Sequence, residues 1–249
     1  MKYIYWTDVK KTTAITTTSN LDGRDFNMAY HATTDKKSVK DNRVVLLKDL
    51  SLNDSDVVYV HQSHSDTIKK VSFADGGKGS NAFEDGVEAD AIYTYDKGLT
   101  LAVFHADCVP VFVSVPKKHL VMIIHAGEEG TLKEITYKAI ETLVDIEHIN
   151  PKHIYAYLGP SKSSMSNSVN KKIIDEANRL GYYMGTKQTN KSYYIDTQLI
   201  NYEQLIKAGV LPKNITTSKL CTFERDDLFY SCQRDKKCGR MISLIKMDN

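Results

Sequence analysis

Between Ala89 and His125 the chain runs through apolar stretches separated by short polar breaks. The stretches are Ala91 to Tyr95, Leu99 to Phe104, Val109 to Val115 and Leu120 to Ile124, and the breaks are Asp96-Lys97-Gly98, His105-Ala106-Asp107-Cys108 and Pro116-Lys117-Lys118. Runs that stay apolar, rather than alternating with polar residues, predict strands covered on both faces, and their succession predicts the centre of a sheet. Val57 to Val60 predicts one more buried strand, ending in the polar loop His61-Gln62-Ser63-His64-Ser65-Asp66.

Helical spacing takes over after this block. Leu132, Ile135, Ala139, Ile140, Leu143 and Val144 share one face, and Thr131-x-x-Glu134 reads as a capping box, so a helix is expected from Leu132 to Asp145, packed on the sheet. A strand from His153 to Leu158 leads into Gly159-Pro160. A helix carrying Val169, Ile173, Ile174, Ala177 and Leu180 stops at Gly181, another runs from the Asp196 cap to Gly209, and strands return around Ile215 to Phe223 and Met241 to Met247. The first fifty residues hold polar tracts, Thr12 to Ser19 and Thr33 to Asn42, and predict short strands and loops with a helix near Lys40 to Leu47. With no internal repeat or Pro/Ser-rich linker, residues 1–249 read as a single domain of α+β class, central mixed β-sheets flanked by helices.

Composition narrows the function. With 33 basic and 31 acidic residues the formal charge is +2, too small a field to hold a nucleic-acid backbone or an anionic membrane, so neither is an expected partner. The start Met1-Lys2-Tyr3-Ile4-Tyr5-Trp6 lacks the apolar core of a secretory signal, which fits a cytoplasmic protein. Cysteines at 108, 221, 232 and 238 form no C-x-x-C pair, as in a reducing compartment, although Cys232 and Cys238 are close enough in sequence to pair on oxidation. The segment Asp75-Gly76-Gly77-Lys78-Gly79-Ser80-Asn81 lacks phosphate-loop spacing and predicts a mobile loop able to close over a site as a lid.

Three segments carry candidate chemistry: Gln62-Ser63-His64, Ala106-Asp107-Cys108 and His125-Ala126-Gly127. Each places one borderline or soft ligand at the edge of an apolar run. Two imidazoles and a thiolate suit a catalytic zinc, which needs three protein ligands and leaves one position for water. His61 rivals His64 as first ligand, since His61-x-x-His64 pairs on a helical turn. Cys108 as nucleophile with His125 as general base is the competing enzyme reading, and a metal-stabilised binding module the non-enzymatic one. A multicopper oxidase is disfavoured because eight histidines contain no H-x-H pair, although copper competes well for nitrogen and sulfur donors.

These segments also resemble, in order, those of the YfiH/YlmD family, described first as laccase-like polyphenol oxidases and later as purine nucleoside phosphorylases. The resemblance extends through Asp90-Ala91-Ile92-Tyr93-Thr94, Ala106-Asp107-Cys108-Val109-Pro110, His125-Ala126-Gly127-Glu128-Glu129-Gly130-Thr131, Leu158-Gly159-Pro160-Ser161, Tyr194-Ile195-Asp196, Cys221-Thr222 and Gly239-Arg240-Met241, with a fainter trace at Asn42-Arg43. It implies a YfiH-like fold, similar to the catalytic domain of cytotoxic necrotizing factor toxins. It also implies zinc on His64, Cys108 and His125, and action on purine nucleosides such as adenosine, inosine and methylthioadenosine, with phosphate as co-substrate, in a monomer or weak homo-oligomer. Cys108 and Asp107 are the candidate catalytic residues, Asp107 either moving protons or orienting a ligand or serving only the turn; Gln62 either reads a purine edge or satisfies loop backbone, and Arg43 is either a phosphate or ribose contact or a solvated surface charge. Two departures stand out: Glu128-Glu129 replaces the family's Trp-Arg, and Ser231-Cys232-Gln233-Arg234 replaces a Ser-Tyr-Arg-Arg-like segment. Carboxylates in place of a guanidinium repel phosphate, so deamination or hydrolysis is expected to survive better than phosphorolysis.

Overall fold

The apolar strands assemble into two six-stranded mixed sheets in a computed structural model that describes residues 2–7, 9–163 and 166–248. The first sheet has the order Tyr3–Tyr5, Thr12–Thr17, Met241–Met247, Thr100–His105, Val57–His61, Val87–Glu88. The second has the order Ile215–Thr217, Tyr155–Leu158, Val109–Val115, Leu120–Ala126, Ala91–Thr94, Ile68–Lys70. Pairing is antiparallel at the centre of each sheet, and parallel where Val57–His61 joins its two neighbours and at both edges of the second sheet.

The runs that read as covered on both faces are so covered. Val58, Val60, Leu101, Val103 and Ile245 of the first sheet pack against Ile92, Phe112, Val121, Ile123 and Tyr157 of the second. The outer face of the second sheet carries helix α3 (Ile135–Asp145) and helix α5 (Thr197–Lys207), through Ile135, Ala139, Leu143 and Leu205. The outer face of the first carries helix α1 (Lys36–Asp49) through Leu46 and Leu47. A small sheet of Ser168–Val169, Tyr193–Ile195 and Thr186–Gln188 packs with helix α4 (Lys171–Arg179). No helix among the described residues is long and apolar enough to cross a membrane.

Several local expectations are corrected. No capping box forms at Thr131-x-x-Glu134: a short helix α2 (Glu128–Leu132) ends first, Glu134 turns into the left-handed region at φ 62°, and α3 starts after it. Thr131 Oγ1 instead accepts from Asn201 Nδ2 at 2.8 Å, and the Glu134 carboxylate accepts from Lys207 Nζ at 2.7 Å and from the Tyr182 hydroxyl. Asp35 caps α1 by accepting from the Ser38 amide at 3.0 Å, which starts that helix earlier than its apolar pattern does. The strand expected to Phe223 stops at Thr217, and only an isolated bridge from Ser161 to Cys221 continues the pairing. The glycine-rich segment is strapped to the first sheet rather than poised as a lid. Gly77 donates to the Val57 carbonyl, the Tyr59 amide donates to the Lys78 carbonyl, and Gly79, at φ 78°, leaves no room for a Cβ against Tyr59.

Between the sheets lies a polar ladder. Trp6 Nε1 donates to Thr16 Oγ1 at 2.9 Å, Thr16 Oγ1 lies 2.8 Å from Ser243 Oγ, and Ser243 Oγ lies 2.8 Å from His105 Nε2. Burial, with His125 nearby, pushes the His105 imidazole down from 6.5 to about 3. The unfolded chain therefore binds a proton below pH 6.5 that the folded chain refuses until about pH 3, so stability falls as pH drops through that window. The slope from this one side chain is about 1.4 kcal/mol per pH unit. Urea midpoints measured from pH 7 to 4 should fall less steeply for His105→Gln than for the wild type; parallel slopes would contradict the assignment.

Candidate metal centre

The polar break His105-Ala106-Asp107-Cys108 is where the chain crosses between sheets, since Thr100–His105 belongs to the first and Val109–Val115 to the second. A crossing this short turns sharply, and Asp107 stands in the left-handed region at φ 85°. Cys108 is thereby left at one end of the sandwich. Pro110 pairs with His125 across the second sheet, which brings that imidazole to the same end. The loop after Val57–His61 brings His64, itself at φ 59°.

One carboxylate organises the three. Asp90, fully buried just before Ala91–Thr94, accepts from the backbone amides of Ser63 at 3.1 Å, His64 at 3.1 Å and Ser65 at 2.7 Å, and from Ser65 Oγ at 2.7 Å. Its Oδ1 also accepts from His125 Nδ1 at 2.8 Å, and its carbonyl accepts the His125 amide at 2.7 Å. Burial opposes the charge on Asp90, but the bonds from His125 and Ser65 prevail and hold the carboxyl far below the usual range. Because a carboxylate only accepts, the Nδ1 proton of His125 is fixed and Nε2 is left for a ligand.

The His64, Cys108 and His125 donor atoms lie within 4.8 Å of one another, the one such group of three among the described residues. Cys108 Sγ stands 3.8 Å from His64 Nε2, and the two imidazole rings meet edge to face with centroids 4.9 Å apart. Burial raises the cost of a thiolate, yet His125 and His64 bring the Cys108 thiol down to about 6. Burial likewise disfavours an imidazolium, yet Cys108 and Asp90 lift His125 to about 9. Gly127 completes the cradle: a Cβ there would lie 2.5 Å from His64 Cδ2 and 3.1 Å from Cys108 Sγ. Two nitrogens and an ionised sulfur, held by a buried carboxylate, form a donor set that fits zinc or copper.

A cavity of about 700 Å³ opens beside this cluster. One wall is aromatic, with His31, Phe83 and Phe104, and His31 lies 4.0 Å from Phe83 between ring centroids. Glu128 and Glu129 form a second wall, although Glu129 is paired with Lys133 Nζ at 2.7 Å. Lys162, Lys236 and Arg240 line it as well.

Of the residues singled out from sequence, His64, Cys108 and His125 converge. Gln62 lines the cavity, but both ends of its amide serve the Phe104 backbone: Nε2 donates to the carbonyl at 2.6 Å and Oε1 accepts from the amide at 2.8 Å. These bonds tie the loop to the sheet and hold the amide at the cavity wall, with one N–H and one lone pair left over. Arg43 is not at the site. It is 3% exposed, donates to the carbonyls of Met28 and Gly79 at 2.9 Å each, and stacks on Tyr30 and Tyr59, so its role is to bind loops to the core. His61 packs against Phe83. Asp107 lines the cavity with its carboxylate occupied by Thr222 Oγ1 at 2.7 Å, Ser231 Oγ at 3.1 Å and the Gln233 amide at 2.8 Å, which makes it an anchor for the 222–233 loop. Sequence reasoning quoted Asp90 and Gly127 within motifs without assigning them a role, and it missed Lys162, Lys236 and Arg240. A lone acid immediately before a run of buried residues was the available signal for Asp90.

The chain is matched over residues 10–248 by the family model described as "Multi-copper polyphenol oxidoreductase laccase". It is 34% identical over 226 residues to the purine nucleoside phosphorylase YlmD of Bacillus subtilis (strain 168), covering 89% of this chain and 81% of that relative. The crystal structure of YlmD from Geobacillus stearothermophilus superposes with a TM-score of 0.95 at 29% identity, over 100% of this chain and 97% of that one. The Bacillus licheniformis hypothetical protein YfiH gives 0.93 at 30% identity, over 99% and 97%. With the whole fold shared and nearly every residue matched, the chain belongs to the YfiH/YlmD family of laccase-like, purine nucleoside phosphorylase-related proteins.

Proposed function

We propose that this protein is a zinc-dependent purine nucleoside enzyme that cleaves adenosine, inosine and methylthioadenosine with phosphate, and deaminates adenosine at the same site. The observation that carries the reading is the Asp90-supported cluster of His64, Cys108 and His125 beside a cavity of nucleoside size with an aromatic wall and a basic one. Held by those three side chains, zinc would supply Lewis acidity toward a polar atom of the purine or toward water.

The cavity walls divide the remaining work. Phe83, Phe104 and His31 offer ring faces to a purine. Lys162, Lys236 and Arg240 supply the cations that would attract phosphate. The two glutamates line the same cavity, where they would repel phosphate, as the sequence led us to expect. Glu129 pairs with Lys133 at 2.7 Å, and carboxylates near a ribose would favour the positive charge that develops there as phosphate approaches C1′ and the base departs.

A second reading has a specific observation behind it: the low Cys108 thiol and the raised His125 imidazole are what a cysteine-hydrolase dyad requires. Treatment with a chelator separates the two. The zinc enzyme loses activity and recovers on adding the metal, whereas a dyad keeps working until the thiol is alkylated.

Two further outcomes are expected. Asp90→Asn turns an amide toward donors that need an acceptor and frees the His125 tautomer, so zinc affinity in a competitive chelator titration should fall about 10- to 100-fold; unchanged affinity would contradict the clamp. In a chromatographic screen of nucleosides, free purine base should appear only with phosphate, and Arg240→Gln should raise KM for phosphate roughly tenfold while moving KM for the nucleoside little. Release of base at equal rates without phosphate would overturn phosphorolysis.

A further inference from the structure

The loop that walls the cavity carries a feature that neither the metal cluster nor the basic wall uses. Cys232 and Cys238, both half-buried and both free, approach to 3.9 Å between sulfur atoms. Cys232 lines the cavity, while Cys238 faces the neighbouring hollow beside Asn27 and Gly239. Arg240 lies against the pair, its Nη1 3.7 Å from Cys238 Sγ and donating to the Cys238 carbonyl at 2.6 Å. Cys238 as hydrogen-bond partner lowers the Cys232 thiol and burial opposes this, with the Arg240 guanidinium adding to the lowering.

The residues on either side of Cys232 are those that grip Asp107: Ser231 through Oγ and Gln233 through its amide. Asp107 in turn precedes Cys108 in the chain, at a strained left-handed position. A disulfide requires about 2.05 Å between sulfurs, so bond formation would draw the two cysteines together by about 1.9 Å. That movement acts on Cys232, between two residues whose hydrogen bonds fix the turn leading to Cys108. It also removes the thiol against which Arg240 rests.

We propose that Cys232 and Cys238 form a reversible dithiol–disulfide switch that senses hydroperoxides and lowers turnover at the adjoining cavity. The Cys232 thiolate attacks the peroxide O–O bond, taking one oxygen as a sulfenic acid while hydroxide or alkoxide leaves and is protonated. The Cys238 sulfur then attacks that of Cys232, the S–S bond forms, and the sulfenic oxygen departs as water with the Cys238 proton. Two electrons pass from the dithiol to the peroxide. A dithiol reductant reverses the change. The proposed loss of turnover rests on the reading of the cavity as catalytic; formation of the bond does not.

The test treats the metal-loaded protein with limiting hydrogen peroxide and follows three quantities: the 232–238 disulfide by non-reducing peptide mapping, nucleoside turnover, and the alkylation rate of Cys108. Expected are a protein lighter by two hydrogens, a several-fold loss of turnover, a several-fold change in Cys108 alkylation, and recovery of all three with dithiothreitol. Cys238→Ser, which keeps Cys232 in the cavity wall and sets a hydroxyl beside Arg240, should form no disulfide, should accumulate a Cys232 sulfenic acid trapped by dimedone, and should lose the reversible response. Absence of the disulfide while Cys108 remains unmodified would overturn the proposal, as would a disulfide that changes neither turnover nor Cys108 reactivity. A disulfide that changes Cys108 reactivity in a protein with no nucleoside turnover would retain the switch and count against the proposed substrate instead.

Discussion

A single buried carboxylate fixes the geometry on which the site depends. Asp90 has no exposure, yet stays ionised because the donors around it are arranged to meet it: three consecutive backbone amides, a serine hydroxyl and an imidazole N–H. An ion in that position would otherwise cost several kcal/mol. The same bonds that satisfy it bend the 63–65 loop inward and select the tautomer of His125, so neutralising the acid and building the donor set are one event. Two of the three candidate ligands thus come from segments that are far apart along the chain and are joined by their bonds to Asp90.

The third arrives by topology. A strand of the first sheet and a strand of the second are joined by only the few residues that hold Cys108, so the thiol must lie where the sheets meet at their common end. Packing explains why that end stays fixed: the inter-sheet core is made of side chains buried on every side, and the Trp6 to His105 ladder extends order to the floor of the cavity. In the protein without metal, the charge on sulfur and the charge on His125 stabilise each other. A cation on that cluster would replace a proton in a role the site already supports.

Much of this was legible in the chain. Unbroken apolar runs gave doubly covered strands at Val109–Val115 and Leu120–Ala126, and helical spacing gave α3 and α5, because burial on a fixed period leaves a plain record. The convergence of His64, Cys108 and His125 was legible because each lies at or just beyond the edge of such a run. Features settled by long-range partners were not. Thr131 and Glu134 carry the right residues for a capping box, but Asn201 and Lys207, some seventy positions away, bind them instead. Arg43 has the chemistry of a phosphate contact, but three aromatic rings and three carbonyls claim it for the core. The glycine-rich segment had the composition of a lid, and its amides turned out to pair with a sheet edge.

The departure from the family pattern at Glu128-Glu129 looked in sequence like the loss of a phosphate contact. In the structure both glutamates line the cavity that Lys162, Lys236, Arg240 and Cys232 also line, so acid and base share one hollow. The account depends above all on three side chains sharing one cation. Anomalous diffraction at the zinc absorption edge, from crystals of protein purified without added metal, tests this directly. The account predicts one peak enclosed by His64 Nε2, Cys108 Sγ and His125 Nε2; a well-ordered site in which those side chains point apart, with no peak among them, would contradict it.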